Sequence, residues 1–282
     1  MMSPSSRVVL VTGGSRGIGR AVAEKFLEEG AAVVIAARTK EEVRAAASEL
    51  EKKGRVLGIA GDVRRDRDVH KIVRAAEGIA GGVDVLVNAA AVLPPIGAFS
   101  ETAWPAWKDN IDINLTGTAR CCRAVLPGMI ARGRGTIINF AGGGGNASRP
   151  NFSAYAAAKA AVIRLTEVLA DELRRRQIQV YAVSPGAVRT HMTEEILTAP
   201  PERVGSEYDV VKAKERTGFD SARIAAELVS FLASPGAAGL SGLVISAVWD
   251  PWREWAKGES APDKDMYVLR RIDGRHFHKG RP

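Results

Sequence analysis

The sequence is poor in cysteine, and its two cysteines, Cys121 and Cys122, are neighbours in an apolar stretch with helical character. A secreted domain held by disulfides needs several spaced cysteines, so that class is excluded and both thiols are expected to be buried. No run of about 18 apolar residues occurs, so no transmembrane helix and no membrane partner are expected. Met1–Arg7 lacks the apolar stretch of a secretory signal, so the cytoplasm is the expected location.

The chain also lacks internal repeats, low-complexity linkers and basic blocks. Its net charge is +8, but acidic residues are interspersed among the lysines and arginines, so no nucleic-acid partner is expected. His276 and His278 have no companion ligands at a convincing spacing, so no metal site is expected. The 282 residues are enough for one large α/β domain or two small ones.

What the sequence does contain is a regular alternation of short apolar strands with helical segments such as Gly17–Glu29 and Lys40–Lys53. Each parallel crossover needs a helix to return the chain, so the pattern predicts an α/β fold, with a doubly wound parallel sheet between two helix layers. The strands do not alternate with polar residues, as expected where both faces are covered. The seven predicted strands are Arg7–Thr12, Ala32–Ala37, Arg55–Ala60, Val83–Val87, Gly135–Phe140, Ile178–Val183 and Leu243–Ala247.

A glycine-rich loop, Thr12–Gly19, separates the first strand from the first helix. Glycine permits positive φ angles and lets the backbone approach a ligand closely. The helix start offers unpaired N–H groups and the positive end of its dipole, which suit a pyrophosphate. Between a strand and a helix, such a loop predicts a dinucleotide site rather than a simple tight turn.

The end of the second strand indicates which dinucleotide is bound. An NAD site commonly has a carboxylate here for the ribose hydroxyl, whereas this chain reads Ala37-Arg38. Arg38 and Arg16 offer two cations, which suit the 2′-phosphate of NADP(H). The alternative is that both arginines are solvated surface residues. NADP(H) is therefore favoured over NAD(H).

Tyr155 and Lys159 are four residues apart in Ser153–Arg174, a stretch that is predicted to be helical. This spacing places both side chains on one helix face. A tyrosine hydroxyl normally keeps its proton to about pH 10, and a nearby ammonium lowers that pKa. The pair could exchange a proton with a substrate oxygen while a cofactor exchanges hydride with the carbon.

Together these segments resemble the short-chain dehydrogenase/reductase family over roughly Arg7 to Ala247. The resemblance implies a Rossmann-type fold, a homo-oligomer (tetramer or dimer) and a small-molecule carbonyl or alcohol substrate. The 3-oxoacyl-carrier-protein reductases are the most general comparison, and a sugar, polyol, steroid or other secondary alcohol is equally admissible. The matching segments are Thr12–Gly19, Asp62-Val63, Val87–Ala91, Asn114 within Ile113–Gly117, Tyr155-x-x-x-Lys159, and Pro185-Gly186 with Thr190.

The resemblance also implies a catalytic group of Tyr155, Lys159 and Asn114. Lys159 would hydrogen-bond the nicotinamide ribose, and Asn114 would hold a water of a proton relay behind the lysine. By itself, Asn114 could instead cap or kink its helix. Nucleotide-sugar epimerases and dehydratases reuse the Tyr-x-x-x-Lys pair, but this chain lacks their shorter glycine loop and long extra domain.

Further family positions are implied to bind the cofactor. Asp62 and Val63 would flank the adenine, Asn88 would support the cofactor, and Thr190 would contact the carboxamide or pyrophosphate. Asp62 could instead be a turn residue and Thr190 a helix N-cap. The full set implied to bind the cofactor is Gly13, Ser15, Arg16, Gly17, Ile18, Gly19, Arg38, Asp62, Val63, Asn88, Tyr155, Lys159, Pro185, Gly186, Val188 and Thr190.

One family position departs from the pattern. A serine that donates a hydrogen bond to the substrate oxygen usually stands thirteen residues before the tyrosine, and here that residue is Gly142. Three explanations are open. Asn146, Ser148 or Ser153 could supply a polar group; the four glycines that include Gly142 and Gly143 could present backbone N–H groups; or the protein could be a weak or inactive nucleotide-binding scaffold or regulator.

Two segments lie outside the core pattern. His191–Thr217 is polar and lacks strong periodicity, so it is expected to be a mobile lid on an NADP-binding domain spanning residues 1–249. Residues 250–282 are expected to be an extension rather than a domain. Its aromatic and arginine residues are typical of interface anchors, so the tail either closes over a site of its own or a neighbouring subunit or covers its own subunit. These residues are Trp252, Trp255, Tyr267 and Arg270-Arg271.

Overall fold

Seven parallel strands form one sheet in the computed structural model, which describes residues 7–263 and 266–269. The strand order is β3-β2-β1-β4-β5-β6-β7, and every neighbouring pair is parallel. This is the predicted α/β fold. The strands are β1 Val8–Thr12, β2 Ala32–Ala37, β3 Val56–Ala60, β4 Val85–Asn88, β5 Gly135–Phe140, β6 Ile178–Ser184 and β7 Val244–Ser246.

Helices return the chain between the strands, as the parallel arrangement requires. They are α1 Gly17–Glu28, α2 Lys40–Leu50, α3 Asp66–Ala80, α4 Trp104–Ile111, α5 Gly117–Arg132, α6 Ser153–Leu173, α7 His191–Thr198, α8 Pro201–Val204, α9 Ser206–Thr217, α10 Ala222–Leu232 and α11 Trp252–Lys257. No helix among the described residues is long and apolar enough to cross a membrane.

Two cores lie on opposite faces of the sheet. Successive side chains of a strand point to opposite faces, so Val9 and Val11 of β1 enter one core, while Val8 and Leu10 enter the other. The first core packs against α1, α2 and α10, and the second against α3, α5 and α6. Burying each such side chain contributes roughly 1.5–3 kcal/mol. The predicted three-layer arrangement is confirmed.

The second core also contains Cys121 and Cys122 of α5, both free and buried as predicted. Burial raises the pKa of both thiols, that of Cys122 to about 12. A buried thiol whose pKa is raised remains a protonated, unreactive group at neutral pH, because the thiolate is the reactive form.

The strand order reverses between β1 and β4, where the chain crosses from one half of the sheet to the other. In open α/β sheets, ligands bind outside the carboxyl ends of the strands at this point. Thr12, the last residue of β1, pairs with Asn88, the last residue of β4, and Asn88 pairs with Asn139 of β5. The glycine loop therefore begins beside the segment that follows β4.

The segment 191–217, predicted to be mobile and without strong periodicity, is helical and forms α7, α8 and α9. Few of its residues are buried, namely Thr193 and, in one small cluster, Ile196 and Val204. The sequence pattern is weak because each of these helices buries few residues, so the long apolar stripe that marks a core helix is missing.

The described part of the C-terminal tail packs on its own subunit. Trp252 and Trp255 are buried in the first core, and the Trp252 Nε1–H donates to the carbonyl of Ala247 (3.0 Å). The Val244 N–H of β7 donates to the carbonyl of Tyr267 (2.8 Å), so the tail covers part of the β7 edge. Arg270-Arg271, His276 and His278 lie outside the described residues.

Candidate active site

The glycine loop is held in its shape by contacts within the chain. Gly13 has φ +68°, and a Cβ there would lie 2.7 Å from the backbone of Ala89. A Cβ on Gly19 would lie 2.3 Å from the Gly13 carbonyl oxygen. Arg16 precedes α1 in extended conformation and makes no side-chain cap, so the first N–H groups of α1 remain available to an anion.

A cleft of about 490 Å³ opens at this loop, and we call it the glycine-loop cleft. Its walls are the loop, the end of β2, the segment after β4 and the start of α7. A narrow groove of this size with a backbone cradle is suited to an extended dinucleotide. Of the residues predicted to bind a cofactor, those that line it are Gly13, Ser15, Arg16, Gly17, Ile18, Gly19, Arg38, Val63 and Thr190.

Three arginines and two acids line the same cleft, and one of the arginines, Arg189, is paired with Glu194. Arg16 and Arg38 are exposed, and neither forms an ion pair with any other described residue. Glu42 of α2 and Glu195 of α7 are the acids, and burial raises the pKa of Glu195. The two unpaired guanidinium groups can therefore accept a phosphate without first breaking an ion pair within the described chain.

Asp62 lies in an adjacent, more open cleft of about 450 Å³ that shares Arg38 with the first. Its carboxylate accepts hydrogen bonds from the Arg64 side chain, the shortest at 2.6 Å from Nη2. Burial would raise the pKa of Asp62, but the hydrogen bonds and charge of Arg64 outweigh burial and lower that pKa. The carboxylate is thus already paired with Arg64.

Asn88 belongs to a buried chain of amides below the site. Its Nδ2 donates to Oδ1 of Asn139 (2.9 Å), and Nδ2 of Asn139 donates to the Thr166 hydroxyl of α6 (2.9 Å). This chain links β4, β5 and α6, so it fixes the helix that carries Tyr155 against the sheet. Asn139 and Thr166 were missed in the sequence because neither has a motif of its own.

Asn114 lies in a π-helical turn, Asp112–Thr116, between α4 and α5. Such turns are frequent at functional sites because the widened turn frees backbone groups. The Asn114 amide exchanges two hydrogen bonds with the backbone of Val92, one of 3.2 Å from the Val92 N–H and one of 2.9 Å to the Val92 carbonyl. Asn110, which sequence analysis missed, donates to the Pro94 carbonyl (2.7 Å). The two asparagines fix the segment after β4.

Tyr155 and Lys159 lie on one face of α6, and both are buried. The Lys159 ammonium donates to the carbonyl of Phe140 (2.7 Å) and lies 5.5 Å from the centre of the Tyr155 ring. Burial lowers the pKa of Lys159 to about 8. Burial also raises the pKa of Tyr155, against the expected lowering by Lys159, because the cost of a buried phenolate exceeds the attraction of the nearby Arg149.

Comparison with known proteins agrees with the glycine loop and the tyrosine–lysine pair described above. Residues 7–200 match the family described as short chain dehydrogenase. The chain is a short-chain dehydrogenase/reductase.

Its relatives in this family are reductases. The 3-oxoacyl-[acyl-carrier-protein] reductase FabG of Vibrio cholerae is 35% identical over 86% of this chain and 95% of its own length. A crystal structure of a single-residue variant of actinorhodin polyketide ketoreductase with NADPH is 33% identical, with TM-score 0.76 over 87% of this chain and 97% of that one. Levodione reductase is 28% identical, with TM-score 0.78 over 85% and 95%. The protein is thus an oxidoreductase of the CH–OH/carbonyl class that uses a nicotinamide dinucleotide.

In this short-chain dehydrogenase/reductase, the glycine run before α6 lies against the tyrosine. Gly142 has φ +79°, and a Cβ there would lie 2.9 Å from the Tyr155 hydroxyl oxygen. Asn146 and Ser148 are exposed, and the Ser153 hydroxyl accepts a hydrogen bond from Trp107 Nε1 (3.1 Å). Among these residues and Gly143, which is also exposed, Gly142 is the one shown in contact range of the hydroxyl.

Sequence analysis missed Arg149, which lies in the same loop. Its guanidinium lies over the ring of Phe152, 4.4 Å from the ring centre, and 5.1 Å from the ring centre of Tyr155. It also forms an ion pair with Glu207 of α9. A single Arg in a loop has no sequence signal, because its partner is 58 residues away.

The segment after β6 holds Pro185, Gly186, Val188 and Thr190, and of these four Thr190 lines the glycine-loop cleft. Gly186 has φ +87°, and a Cβ there would lie 2.5 Å from the Val248 side chain, so Pro185-Gly186 is a packed turn. Val188 forms an isolated bridge with Asp220. Thr190 lines the cleft and also precedes α7, with its N–H donating to the Thr193 hydroxyl (3.2 Å).

Proposed function

We propose that the protein is an NADP(H)-dependent reductase in which Tyr155 donates a proton to the oxygen of a carbonyl substrate. The observation that carries the proposal is the placement of Tyr155 and Lys159, buried on one face of α6. Met192, which lines the glycine-loop cleft, packs against the buried cluster that contains Tyr155. Tyr155 would act as the acid in reduction and as the base in oxidation. With NADPH as the cofactor, reduction is the favoured direction.

Each residue of the site has a separate role in the proposed reaction. The nicotinamide supplies hydride to the carbonyl carbon when bound, and Tyr155 gives its hydroxyl proton to the carbonyl oxygen, which becomes an alcohol. Lys159 would hold the ribose, and Asn114 would keep the segment after β4 in place and support a water that returns the proton. Glycine-loop N–H groups would bind the pyrophosphate.

The preference for NADP(H) rests on charge. Arg16 and Arg38 line the glycine-loop cleft without ion-pair partners among the described residues, and Ala37 leaves no carboxylate for a ribose hydroxyl. Arginine holds a phosphate through paired hydrogen bonds. A structurally similar ketoreductase is described with NADPH. These observations support NADP(H) over NAD(H).

Gly142 stands where the family usually has the substrate-orienting serine, and we infer that the backbone supplies the missing donor. The positive φ of Gly142 and the proximity of the Tyr155 hydroxyl leave no room for a side chain at that position. Within the described residues, the N–H groups of Gly142 and Gly143 have no hydrogen-bond acceptor. Two free N–H groups beside the proton donor suit a developing oxyanion.

The surroundings of Tyr155 favour a substrate with an apolar body. The buried residues packed with it form what we call the tyrosine cluster, namely Leu93, Phe152, Tyr155, Ile196 and Val204. Helices α7–α9 supply part of this cluster, which is the role proposed for the lid. A steroid-like or ketoacyl-like carbonyl compound is therefore the first substrate class to test, with a sugar as the polar comparison.

The experiment is turnover of NADPH by the purified protein with a panel of apolar and polar carbonyl compounds, followed by loss of nicotinamide absorbance. Turnover that Tyr155→Phe abolishes supports the proposal. Tight NADPH binding without turnover on any compound would instead support the scaffold, the second candidate, which Gly142 favours because the usual serine hydroxyl is missing.

We also propose that residues 1–249 are the dinucleotide-binding domain and that residues 250–282 extend it. The homo-oligomer, a dimer or tetramer, and the cytoplasmic location are further expectations. Exposed Trp104 (55%) and Trp249 (83%) offer apolar area for subunit contacts. Analytical ultracentrifugation of the purified protein measures the oligomeric state, and a monomer at all concentrations would contradict the expectation.

A further inference from the structure

One cation that the reaction outlined above does not use packs against the tyrosine cluster. Arg149 lies in the loop between β5 and α6, and its side chain is only 20% exposed. Its guanidinium lies 4.4 Å from the ring centre of Phe152 and 5.1 Å from that of Tyr155. A cation over an aromatic face is attracted to the ring and restrains it. Arg149 thus restrains the side chain of the proton donor.

A carboxylate from another element holds this cation. Glu207 of α9 forms a two-pronged ion pair with Arg149, with 2.5 Å between Nε and Oε2, and its side chain is 23% exposed. Paired contacts between a guanidinium and a carboxylate fix both groups in orientation. The ion pair therefore ties the loop beside Tyr155 to helix α9, which is part of the covering segment.

The two charges of the pair act on Tyr155 in opposite directions. Burial raises the pKa of Tyr155; the charge of Arg149 and its hydrogen bond lower that pKa, and the charge of Glu207 raises it. On α6 the other cation is Lys159, 5.5 Å from the ring centre. On α9, Tyr208 also packs on the cluster. Helices α7 and α8 carry the charged residues Glu195 and Arg203, and neither is among the charges that shift the pKa of Tyr155.

We propose that Arg149 is a positioning residue for Tyr155, and that Glu207 ties it to the covering helix α9. The proposal rests on the proposed function, because it assigns Tyr155 the role of proton donor. Any movement of α9 that withdraws Glu207 would leave Arg149 as the unpaired charge nearest the phenol. The tyrosine would then lose its proton more easily when the cover is open than when it is closed.

The test uses the full chain and compares two variants that break the same ion pair. The tyrosinate absorbance of each protein, minus that of the same protein carrying Tyr155→Phe, reports the ionisation of Tyr155 alone. Glu207→Gln should shift this titration to lower pH, and Arg149→Met should shift it to higher pH, each by about 1 pH unit. Arg149→Lys, which keeps the charge, should lie between wild type and Arg149→Met.

A merely structural ion pair would give a different result, because both variants would then loosen the same contact and shift the titration in the same direction or not at all. Either outcome overturns the proposal. If Arg149→Met does not fold, Glu207→Gln decides alone: a downward shift supports the proposal, and no shift or an upward shift overturns it.

Matched controls are Glu215→Gln on α9, where Glu215 pairs with Lys212, and Arg174→Met, where Arg174 pairs with Asp171. Neither control should move the titration, and an equal shift in them would overturn the proposal. Because the titration needs no turnover, it can succeed or fail independently of the NADPH assay.

Discussion

The glycine-loop cleft and the tyrosine cluster lie side by side but are built differently. The cleft is open, its arginines Arg16 and Arg38 are exposed and have no ion-pair partner among the described residues, and its glycine loop is held by close contacts such as that of Gly13 with Ala89. The tyrosine cluster is buried and apolar, and the cation packed on it, Arg149, is paired with Glu207 from a distant part of the chain. The cleft is thus suited to a charged ligand, whereas the cluster surrounds Tyr155 with packed apolar side chains.

Tyr155→Phe should have the largest effect, and it should affect the tyrosine cluster without affecting the glycine-loop cleft. Removing the hydroxyl removes the proton donor and should lower kcat with the best carbonyl substrate about 1,000-fold, within the range for a general acid. Affinity for NADPH should change less than about twofold, because the cleft does not depend on the hydroxyl. Steady-state kinetics and fluorescence titration with NADPH measure the two quantities. A parallel loss of NADPH affinity would mean that the two regions are not independent.

A second change tests whether the tyrosine region needs a bare backbone. Gly142→Ser places a side chain at φ +79° and 2.9 Å from the Tyr155 hydroxyl, so the phenol must move. We expect kcat to fall about 100-fold, as for a displaced reacting group. Gly239→Ser is the control, since no atom lies within 4 Å of its added Cβ. An increase in kcat with Gly142→Ser would show that a serine hydroxyl was simply missing.

A third change tests whether burying the Lys159 ammonium destabilises the folded protein. Burial lowers the pKa of Lys159 from 10.5 to about 8. Between pH 8 and pH 10.5 the unfolded chain binds more protons than the folded chain, so the free energy of unfolding rises with pH in that range. Below about pH 8 Lys159 is protonated in both states, and the full destabilisation by the buried ammonium is present. Lys159→Met should therefore increase the free energy of unfolding at pH 7 by about 2 kcal/mol while abolishing activity.

Urea unfolding of wild type and Lys159→Met at several pH values measures this effect. The advantage of the variant should shrink as the pH rises from about 8 towards 10.5, because wild-type Lys159 then loses its proton. A constant difference across this range would contradict a buried ammonium with a lowered pKa.

The smallest expected effect is that of Arg38→Ala, which changes dinucleotide binding in the glycine-loop cleft alone. Arg38→Ala should weaken NADPH binding about tenfold, the value of one charge-assisted hydrogen bond, and leave NADH binding unchanged. Titration with both dinucleotides measures the ratio. Arg44→Ala is the control, an exposed arginine of α2 that lines neither cleft. Equal losses for NADPH and NADH would refute contact between Arg38 and the 2′-phosphate.

The sequence predicted the cleft more completely than the cluster. The glycine loop, Arg38 and Thr190 could be placed because each follows a strand end, and the carboxyl ends of parallel strands meet at one edge. Gly142 could be noticed, but its φ angle and its contact with Tyr155 could not be read from residue order. Arg149 was missed for the same reason, since its partners Phe152, Tyr155 and Glu207 come from two other elements.

Apolar strands and helical spacing determined the fold class of this short-chain dehydrogenase/reductase, and the glycines at one strand end and the spacing of the tyrosine and lysine predicted a nucleotide site and a catalytic pair. These are local properties, set by side-chain periodicity and by the φ angles each residue allows. Tertiary structure alone decided how the 191–217 helices cover Tyr155, that Glu207 holds Arg149, and that burial raises the pKa of the phenol. Charge pairing and desolvation depend on distances between residues far apart in the chain, and only folding sets those distances.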